Sequence, residues 1–461
     1  MKRLLLAALI ATPSLHAARP NILLIVTDDQ RPDTIGRSDI VQTPNLDRLM
    51  ARGTTFTRAI AAYPICHVSR AEILTGCPAF HALSHYPGAA INPELTTWAN
   101  AFHSAGYQTW FTGKWHNDGQ PRTRGYDETR GLFTAGGAPP MKKGEKLLDP
   151  KGREITGYVG WTFKTNEGKV ELDKGVGLTP NISERFADAA IDFIDRKHEQ
   201  PFFLHLCFTA PHDPRLMPAG YENRYDLAKT ALPKNFAPQH PFDHGNLNGR
   251  DELLLPKPLD PAQVREELAT YHAIISHMDA QVGRIFAALD AAQLTDNTLI
   301  IFTSDQGLAL GSHGLLGKQN EYDHTEGVPL VMAGPGVPVH QTRNTQCYLR
   351  DLFPTACELA GIGIPRSVEG TSLVSVFTDP HHPVHPFLVG YFTDTQRMIR
   401  TGQWKLIEYP QIKRKQLFDL VLDPDELNDR STDPALQPRM DELSHLLHKW
   451  LREHDDPLER K

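Results

Sequence analysis

The feature that most restricts the fold of this chain is a series of short apolar runs separated by segments of helical periodicity. Residues 21–26, Asn-Ile-Leu-Leu-Ile-Val, form a continuous aliphatic run typical of a strand buried on both faces. Further runs of this kind occupy 202–206, 299–302 and 329–332, and helical patterns occupy about 96–105, 183–198 and 261–293. This alternation predicts an α/β fold with a large, mostly parallel mixed sheet sandwiched by helices.

The pattern changes after about residue 375. Met398-Ile399-Arg400 and Trp404-Lys405-Leu406-Ile407 lie on either side of Thr401-Gly402-Gln403, which predicts a hairpin. An amphipathic helix is predicted over 435–454. We therefore expect an N-terminal α/β domain over 19–375 and a smaller C-terminal α+β subdomain, an antiparallel sheet plus a helix, over 376–461.

Two long stretches lack this regular alternation. Residues 118–180 are rich in Gly and Lys, and residues 213–260 are rich in Pro, His and Asn. Long irregular segments inside a compact domain are usually functional loops. We expect them to shape a binding pocket.

The first residues are typical of a targeting segment. Lys2-Arg3 precede an apolar run over 4–11, and small residues follow near Ala17-Ala18. The run is shorter than the roughly 20 residues that span a bilayer, so it predicts a cleaved signal peptide over 1–18 rather than a membrane anchor. The alternative is a first strand or helix of the fold. On the favoured interpretation the protein is periplasmic or secreted, with no membrane association after cleavage.

Charge argues against a nucleic-acid partner. The chain has 48 basic and 55 acidic residues, a net charge of −7, and no long Lys/Arg block. Anion binding must therefore come from a local site. The chain also has five cysteines, an odd number, and for these the sequence gives no pairing.

Carboxylates follow two of the predicted strands directly. Asp28-Asp29 follow the run at 21–26, and Asp305-Gln306 follow the run at 299–302. Loops at the carboxyl ends of strands build the sites of open α/β sheets. One pair alone is also explained by a turn cap, but two pairs in the same context predict a shared metal. The all-oxygen set suits a hard cation such as Ca²⁺ or Mg²⁺.

The segment around Cys66 carries the sharpest local signal. Ser69 and Glu72 have the spacing of a capping box, which predicts a helix that begins at about Arg70. Cys66 is then placed just before a helix N-terminus, where anions are favoured, and Arg70 adds a cation that matches an oxyanion. A buried structural cysteine is the alternative interpretation.

With the residues that surround Cys66 in sequence, the chain resembles the type I, formylglycine-dependent sulfatase family of the alkaline phosphatase superfamily. The resemblance extends over about residues 20–335, where motifs similar to those of the family occur in the family's order. They are Cys-x-x-Ser-Arg-x-x-x-Leu-Thr-Gly at 66–76, Gly-Lys-Trp-His at 113–116, Pro-His-Asp-Pro at 211–214, Ser-Asp-Gln-Gly at 304–307 and His-Gly-Leu-Leu-Gly-Lys at 313–318. The resemblance implies an alkaline-phosphatase-like fold and hydrolysis of sulfate esters.

The resemblance also implies a role for each matching residue. One Ca²⁺ would be held by Asp28, Asp29, Asp305 and Gln306. Cys66 would be oxidised to formylglycine by a maturase, and its hydrate would attack sulfur. The other catalytic residues would be Arg70, Lys114, His116, His212 and Lys318, which hold the hydrate or the sulfate and assist the leaving alcohol. The physical reason for such crowding is that sulfate oxygens repel nucleophiles, so cations must surround them.

One departure from the family keeps alternatives open. The family's Cys-x-Pro-x-Arg core has Val68 where proline is expected, and proline fixes φ and removes a donor. The leading hypothesis is a sulfatase acting on a sulfated carbohydrate. The alternatives are a phosphonate or phosphate ester hydrolase on the same scaffold, and an inactive Ca²⁺-dependent glycan-binding homologue if Cys66 is not converted.

Overall fold

A computed structural model describes residues 19–460, so the predicted signal peptide over 1–18 lies outside the described residues. The strands are β1 (Asn21–Thr27), β2 (Gly53–Ile60), β3 (Gln108–Trp115), β4 (Glu128–Thr134), β5 (Thr162–Lys164), β6 (Phe202–Cys207), β7 (Thr298–Ser304), β8 (Leu330–Ala333), β9 (Gln341–Tyr348), β10 (Leu388–Phe392), β11 (Gln396–Arg400), β12 (Trp404–Tyr409) and β13 (Arg414–Asp419). The helices are α1 (Pro44–Ala51), α2 (Cys66–Thr75), α3 (Ala79–Ala82), α4 (Trp98–Ser104), α5 (Ile182–Ile194), α6 (Pro261–Ala291), α7 (Asp323–Glu326), α8 (Leu352–Leu359), α9 (Ser375–Thr378) and α10 (Gln437–Glu453).

The main sheet has nine strands in the order β5-β4-β3-β6-β1-β7-β8-β2-β9. The four central pairings from β4 to β7 are parallel, while β8 runs antiparallel to both of its neighbours. The predicted mixed, mostly parallel sheet is therefore confirmed. Because β3, β6, β1 and β7 point the same way, the residues that follow them meet at one edge of the sheet.

Helices cover both faces of this sheet. Along β1, Ile22, Leu24 and Val26 belong to one core and Leu23 and Ile25 to the other. Successive side chains of a strand point to opposite faces, so a strand buried on both sides must be apolar at every position. This explains why the run at 21–26 is continuous rather than alternating.

A separate four-stranded antiparallel sheet, β10-β11-β12-β13, forms the smaller C-terminal subdomain. The predicted hairpin is the pair β11–β12, with Met398 opposite Ile407. Helix α10 buries Met440, Leu443, Leu447 and Leu451, spaced as one helical stripe. The subdomain thus has the predicted composition, and the boundary at 375 stays a prediction.

The long stretch at 118–180 is less irregular than the sequence indicates. It contains β4 and the short β5, which extend the main sheet at one edge. Among residues 19–460, no helix is both long and apolar enough to cross a membrane.

Candidate active site

The acids predicted to bind metal meet at the carboxyl edge of the sheet. Asp28 and Asp29 follow β1, and Asp305 and Gln306 follow the adjacent β7. All four are buried. The Asp29 amide donates to Asp305 Oδ1 at 3.2 Å, and Gln306 Nε2 lies 2.6 Å from Asp29 Oδ1. Asp29 adopts φ +66°, in the left-handed region that Asp tolerates better than most residues other than Gly and Asn. The contacts just described hold its backbone in this conformation.

Helix α2 begins at Cys66, so the start predicted at Arg70 is wrong. Ile65, in extended conformation, occupies the position before the first turn, and Ser69 lies inside the helix. The Ser69 hydroxyl donates to the Asp305 carbonyl at 2.5 Å, and Glu72 accepts from the Ala79 amide at 2.8 Å. Both side chains make tertiary contacts in place of the predicted capping box. Cys66 is therefore the first residue of the helix.

The Cys66 thiol lies among the acids. Its Sγ is 3.3 Å from Asp28 Oδ1 and 3.2 Å from Gln306 Nε2. Burial, reinforced by Asp28, raises the pKa of the Cys66 thiol far above its ordinary value, although Lys114 and Lys318 oppose this. Since the thiolate is the nucleophilic form, this shift makes the unmodified thiol a poor nucleophile.

Three buried cations surround these carboxylates, each from a different element. Arg70 on α2 lies 2.9 Å from Asp305 Oδ2 through Nε. Lys114 near the end of β3 places Nζ 2.6 Å from Asp28 Oδ2, and Lys318 in the loop after β7 places Nζ 2.9 Å from Asp29 Oδ2. Burial opposes the charge of Lys318, but Asp29 and its neighbours raise the pKa of this ammonium well above its usual range. The site therefore holds its positive charges out of water.

His212 joins this cluster. Its Nδ1 lies 2.6 Å from the carbonyl of Asp213, so this nitrogen carries the proton and Nε2 faces Asp29 Oδ2 at 3.6 Å. Asp213 is in turn fixed by Arg250 at 2.6 and 3.0 Å. These contacts orient the imidazole toward the carboxylates.

His116 lies beside the cluster without a bond to it. Its ring packs edge-on against Trp161 at 5.0 Å and against His67 at 5.7 Å. Its Nδ1 is buried and has no hydrogen-bond partner within the described chain. Burial, with Lys114 nearby, lowers the pKa of His116 well below 6.5, so the ring is neutral. The structure thus brings five of the six predicted catalytic residues into direct contact with the acids and places the sixth alongside.

Sequence reasoning missed Tyr158. This residue comes from the stretch at 118–180, and its hydroxyl donates to Asp28 Oδ2. The ring lies 5.1 Å from Lys114 Nζ and 4.8 Å from the His212 ring. Its surroundings in sequence, Gly-Tyr-Val-Gly-Trp, resemble an ordinary loop, so no local pattern identifies it.

The four predicted ligands fit a hard cation. Gln306 Oε1 is buried with no hydrogen-bond partner among the described residues. The two ends of an amide are assigned from their hydrogen bonds, and exchanging them brings Oε1 beside Asp29 Oδ1, as a shared cation requires. Burial and the proximity of Asp28 raise the pKa of Asp305 to about 7 despite Arg70. A divalent cation would relieve that crowding of carboxylates.

The fold and the site together define a hydrolase of anionic esters, with cations and acids gathered at one edge of an α/β sheet. Comparison with known proteins makes this specific. The sulfatase family model matches residues 20–362, and the model described as N-sulphoglucosamine sulphohydrolase, C-terminal, matches residues 311–454. The chain belongs to the sulfatase family and is a sulfuric ester hydrolase.

Individual relatives agree with this assignment. An arylsulfatase from Clostridium perfringens is 28% identical, with 94% of each chain covered. A structure in complex with its substrate D-glucosamine-2-N,6-O-disulfate is 23% identical with a TM-score of 0.74, covering 96% of this chain and 100% of the other. A phosphonate monoester hydrolase from Silicibacter pomeroyi also reaches a TM-score of 0.74 at 23% identity, over 94% of this chain and 96% of its own. The two structures share the fold.

Proposed function

We propose that this enzyme removes sulfate from a sulfated carbohydrate, with Cys66 converted to formylglycine and one Ca²⁺ held by Asp28, Asp29, Asp305 and Gln306. The observation that carries the proposal is the position of Cys66. Its Sγ lies 3.3 Å from Asp28 Oδ1 and 3.2 Å from Gln306 Nε2, among three buried cations. A side chain at this point meets both the metal ligands and an oxyanion-binding set.

The hydrated aldehyde supplies the nucleophile and Ca²⁺ supplies Lewis acidity. The chain's own residues hold the substrate. Arg70 is fixed by Asp305 at 2.9 Å and presents positive charge beside residue 66. Lys114 and Lys318 contribute ammonium groups that are already desolvated, so they stabilise developing negative charge without first losing water.

His212 is placed to serve the leaving alcohol. Its Nδ1–H donates to the Asp213 carbonyl, which fixes the tautomer and keeps Nε2 directed at the site. In this tautomer Nε2 carries a lone pair, so it would first accept a proton, for which the attacking hydroxyl is a source, and then pass that proton to the departing oxygen. His116 is neutral and packs on Trp161, which contacts Tyr158 beside the His212 ring.

The substrate class is supported by two observations. One of the two solved neighbours, with a TM-score of 0.74, is a complex with its substrate D-glucosamine-2-N,6-O-disulfate. Polar side chains also lie near the site: Asn117 Nδ2 donates to the carbonyl of His67, next to Cys66, at 2.7 Å, and the Arg250 side chain, which holds Asp213, is 34% exposed. Polar groups of this kind hydrogen-bond the hydroxyls of a saccharide.

A phosphonate or phosphate ester hydrolase is the second candidate, favoured by the likeness to the phosphonate monoester hydrolase. Rates on matched aryl sulfate, aryl phosphonate and aryl phosphate esters separate the two. A sulfate rate far below the other two rates supports the alternative. Glycan binding without turnover by protein of known formylglycine content supports the inactive glycan-binding homologue.

The decisive experiment combines mass analysis of the peptide containing residue 66 with a panel of sulfated saccharides. We expect formylglycine in protein made beside a maturase and sulfate release in proportion to that fraction. The matched control is Cys66→Ala, which removes the convertible group and is expected to fold normally without turnover. Unmodified thiol in protein that nevertheless releases sulfate contradicts the proposal.

Removal of the metal tests the ligand set separately. Chelation is expected to abolish sulfate release and to lower the melting temperature, because Asp28, Asp29 and Asp305 are left crowded together. Ca²⁺ is expected to restore both. Full activity after exhaustive chelation, checked by elemental analysis, excludes a required ion.

We also propose that the chain is exported through cleavage of the segment over 1–18. N-terminal sequencing of the protein recovered from its native compartment tests this. A mature chain that begins near Arg19 is expected, and one that retains Met1 contradicts it.

A further inference from the structure

A second cluster of metal-type side chains lies apart from the active site. One ligand atom from each of His313, His324 and Glu426 lies within 4.8 Å of the other two. His313 and His324 flank Lys318 in the chain, and Glu426 belongs to the C-terminal subdomain. None of the three contributes to the sulfate-binding set, so the reaction leaves this cluster unexplained.

His324 is the strongest sign that the cluster binds a ligand. The residue is 6% exposed, and neither Nδ1 nor Nε2 has a hydrogen-bond partner in the described part of the chain. Buried polar atoms are normally paired, and leaving one unpaired costs about 1–3 kcal/mol. Both ring nitrogens of His324 are therefore available to a ligand that enters the cluster.

The other two residues are held in place by neighbours. His313 Nε2 lies 3.1 Å from Asn235 Nδ2, and its ring lies flat against Tyr322 with centroids 4.0 Å apart. Nδ1 of His313 is thereby left for another partner. Glu426 accepts the Asp323 amide through Oε2 at 2.8 Å. Such outer contacts orient metal ligands in proteins.

Charge around the cluster favours a divalent cation. Lys405 is shared among Asp323, Glu326 at 3.4 Å and Glu426 at 2.8 Å, and Arg400 contacts Asp323 at 2.9 Å. Buried Glu321 adds a fourth carboxylate whose oxygens have no partner in the described chain. Four carboxylates therefore face Lys405 and Arg400, while the charges of Arg58 and Arg397 also act on Asp323 and Glu321. Buried charges of one sign are costly unless compensated.

We propose that His313, His324 and Glu426 form a site for a divalent transition-metal ion of the zinc type, distinct from the Ca²⁺ site. Two imidazoles and one carboxylate are a ligand set that Zn²⁺ accepts, with a fourth position left for water. His324 and Glu426 line a cleft of about 770 Å³, which supplies an entry path and that water. The ion would tie the loop carrying Lys318 to the C-terminal subdomain.

Co²⁺ is a suitable probe because its spectrum reports on its ligands. The experiment uses full-length Cys66→Ser protein in excess Ca²⁺, so that the sulfur is gone and the oxygen site is filled. We expect one equivalent of Co²⁺, displaced by Zn²⁺, and at least tenfold weaker binding in His324→Ala and in Glu426→Gln. The matched control is His272→Ala, a buried histidine that lines the same cleft outside the cluster.

The same proteins are melted with and without Zn²⁺. Zn²⁺ is expected to raise the melting temperature of the parent and of His272→Ala but not that of His324→Ala. Equal Co²⁺ affinity in His324→Ala and His272→Ala overturns the proposal, as does absence of uptake by the parent. Glu426→Gln preserves the shape of the side chain, so it gives the answer if His324→Ala does not fold.

Discussion

At the scale of single residues, the chemistry of the site depends on groups that fix one another. Asp28 is the clearest case, since Cys66, Lys114 and Tyr158 all contact its carboxylate. A hydrogen bond to a charged group contributes more than a neutral one, about 1.5–3 kcal/mol. Removing a single partner is therefore expected to affect activity strongly while leaving the fold intact.

Tyr158→Phe tests this expectation. The change removes only the hydroxyl that donates to Asp28, while the ring keeps its packing between Lys114 and His212. We expect kcat/KM for sulfate release to fall about 10- to 100-fold and the melting temperature to fall by no more than about 5 °C. The control is Tyr107→Phe, whose hydroxyl donates to the Pro20 carbonyl away from the site. Equal rates in the two variants would show that Tyr158 has no role.

Val68 leads to a second prediction. It is the third residue of α2, and its amide donates to the Ile65 carbonyl at 3.1 Å. Proline is tolerated in the first turn of a helix, so Val68→Pro is expected to cost only about 1 kcal/mol. Because the resembling family has proline here, we expect a higher fraction of formylglycine at residue 66. Mass analysis beside Val68→Ala measures this, and no increase over that control contradicts it.

At the scale of elements, the sequence predicts the strands that have a continuous apolar run. The buried runs at 21–26, 202–206 and 299–302 are strands, and the metal-ligand pairs follow two of them as predicted. β2 and β9 were missed because they lie toward one edge of the sheet and mix exposed with buried residues, as in Gly53–Ile60. Such strands have no continuous apolar run.

The start of α2 shows a different limit. Ser69 and Glu72 have the spacing of a capping box, yet both side chains contact residues far away in the chain. Tyr158 is a similar case, because its partner Asp28 is 130 residues distant. Contacts of this kind depend on how elements pack, and neither spacing nor composition records them.

Docking of α10 gives a prediction at this scale. His448 Nδ1 lies 2.6 Å from Glu459, and Nε2 lies 3.1 Å from Glu408 on β12. Donation of a hydrogen bond to Glu408 raises the pKa of His448 despite partial burial, while Glu408, though desolvated, is held at a pKa of about 2 by His448 and Lys415.

A raised histidine pKa stabilises the fold at pH values below about 6.5, and this stabilisation is lost as pH rises through the folded value. Solvent exposure limits the effect to about 0.5–1 kcal/mol. We expect the urea midpoint of wild type, relative to His448→Gln, to decline between about pH 6 and about pH 8.5. A difference that is constant with pH would show that the ion pairs contribute nothing. Lys449→Gln, on the exposed side of α10, is the control.

At the scale of the whole molecule, the two sheets meet at a tightly packed polar boundary. Gly390 on β10 faces Glu326 and Glu321 of the main domain, and a Cβ at this position would overlap a carboxylate oxygen of each. Lys405 on β12 reaches across to Glu326 at 3.4 Å. The subdomain is thus joined to the loop that carries Lys318 by charge as well as by apolar packing.

Gly390→Ala is expected to destabilise the protein by about 1–3 kcal/mol, because the added methyl group has no free volume. The free energy of unfolding in urea measures this. In Gly402→Ala the added Cβ meets only Arg58 at 3.7 Å, so this variant should be nearly neutral. Equal stability of the two variants would show that the boundary readily relaxes.

The burial of Cys66 has a consequence for the biosynthesis of the protein. The residue is 2% exposed and lies in the first turn of a helix, among side chains from β3 and from the segments that follow β1 and β7. An enzyme that alters this thiol cannot reach it once those elements have closed. On the proposed conversion of Cys66, modification would have to precede folding, and the order of events during biosynthesis would decide whether a molecule becomes active. Two molecules of identical sequence and identical fold would then differ permanently in activity. The activity of a purified sample would depend on how much of the protein the producing cell had modified before folding.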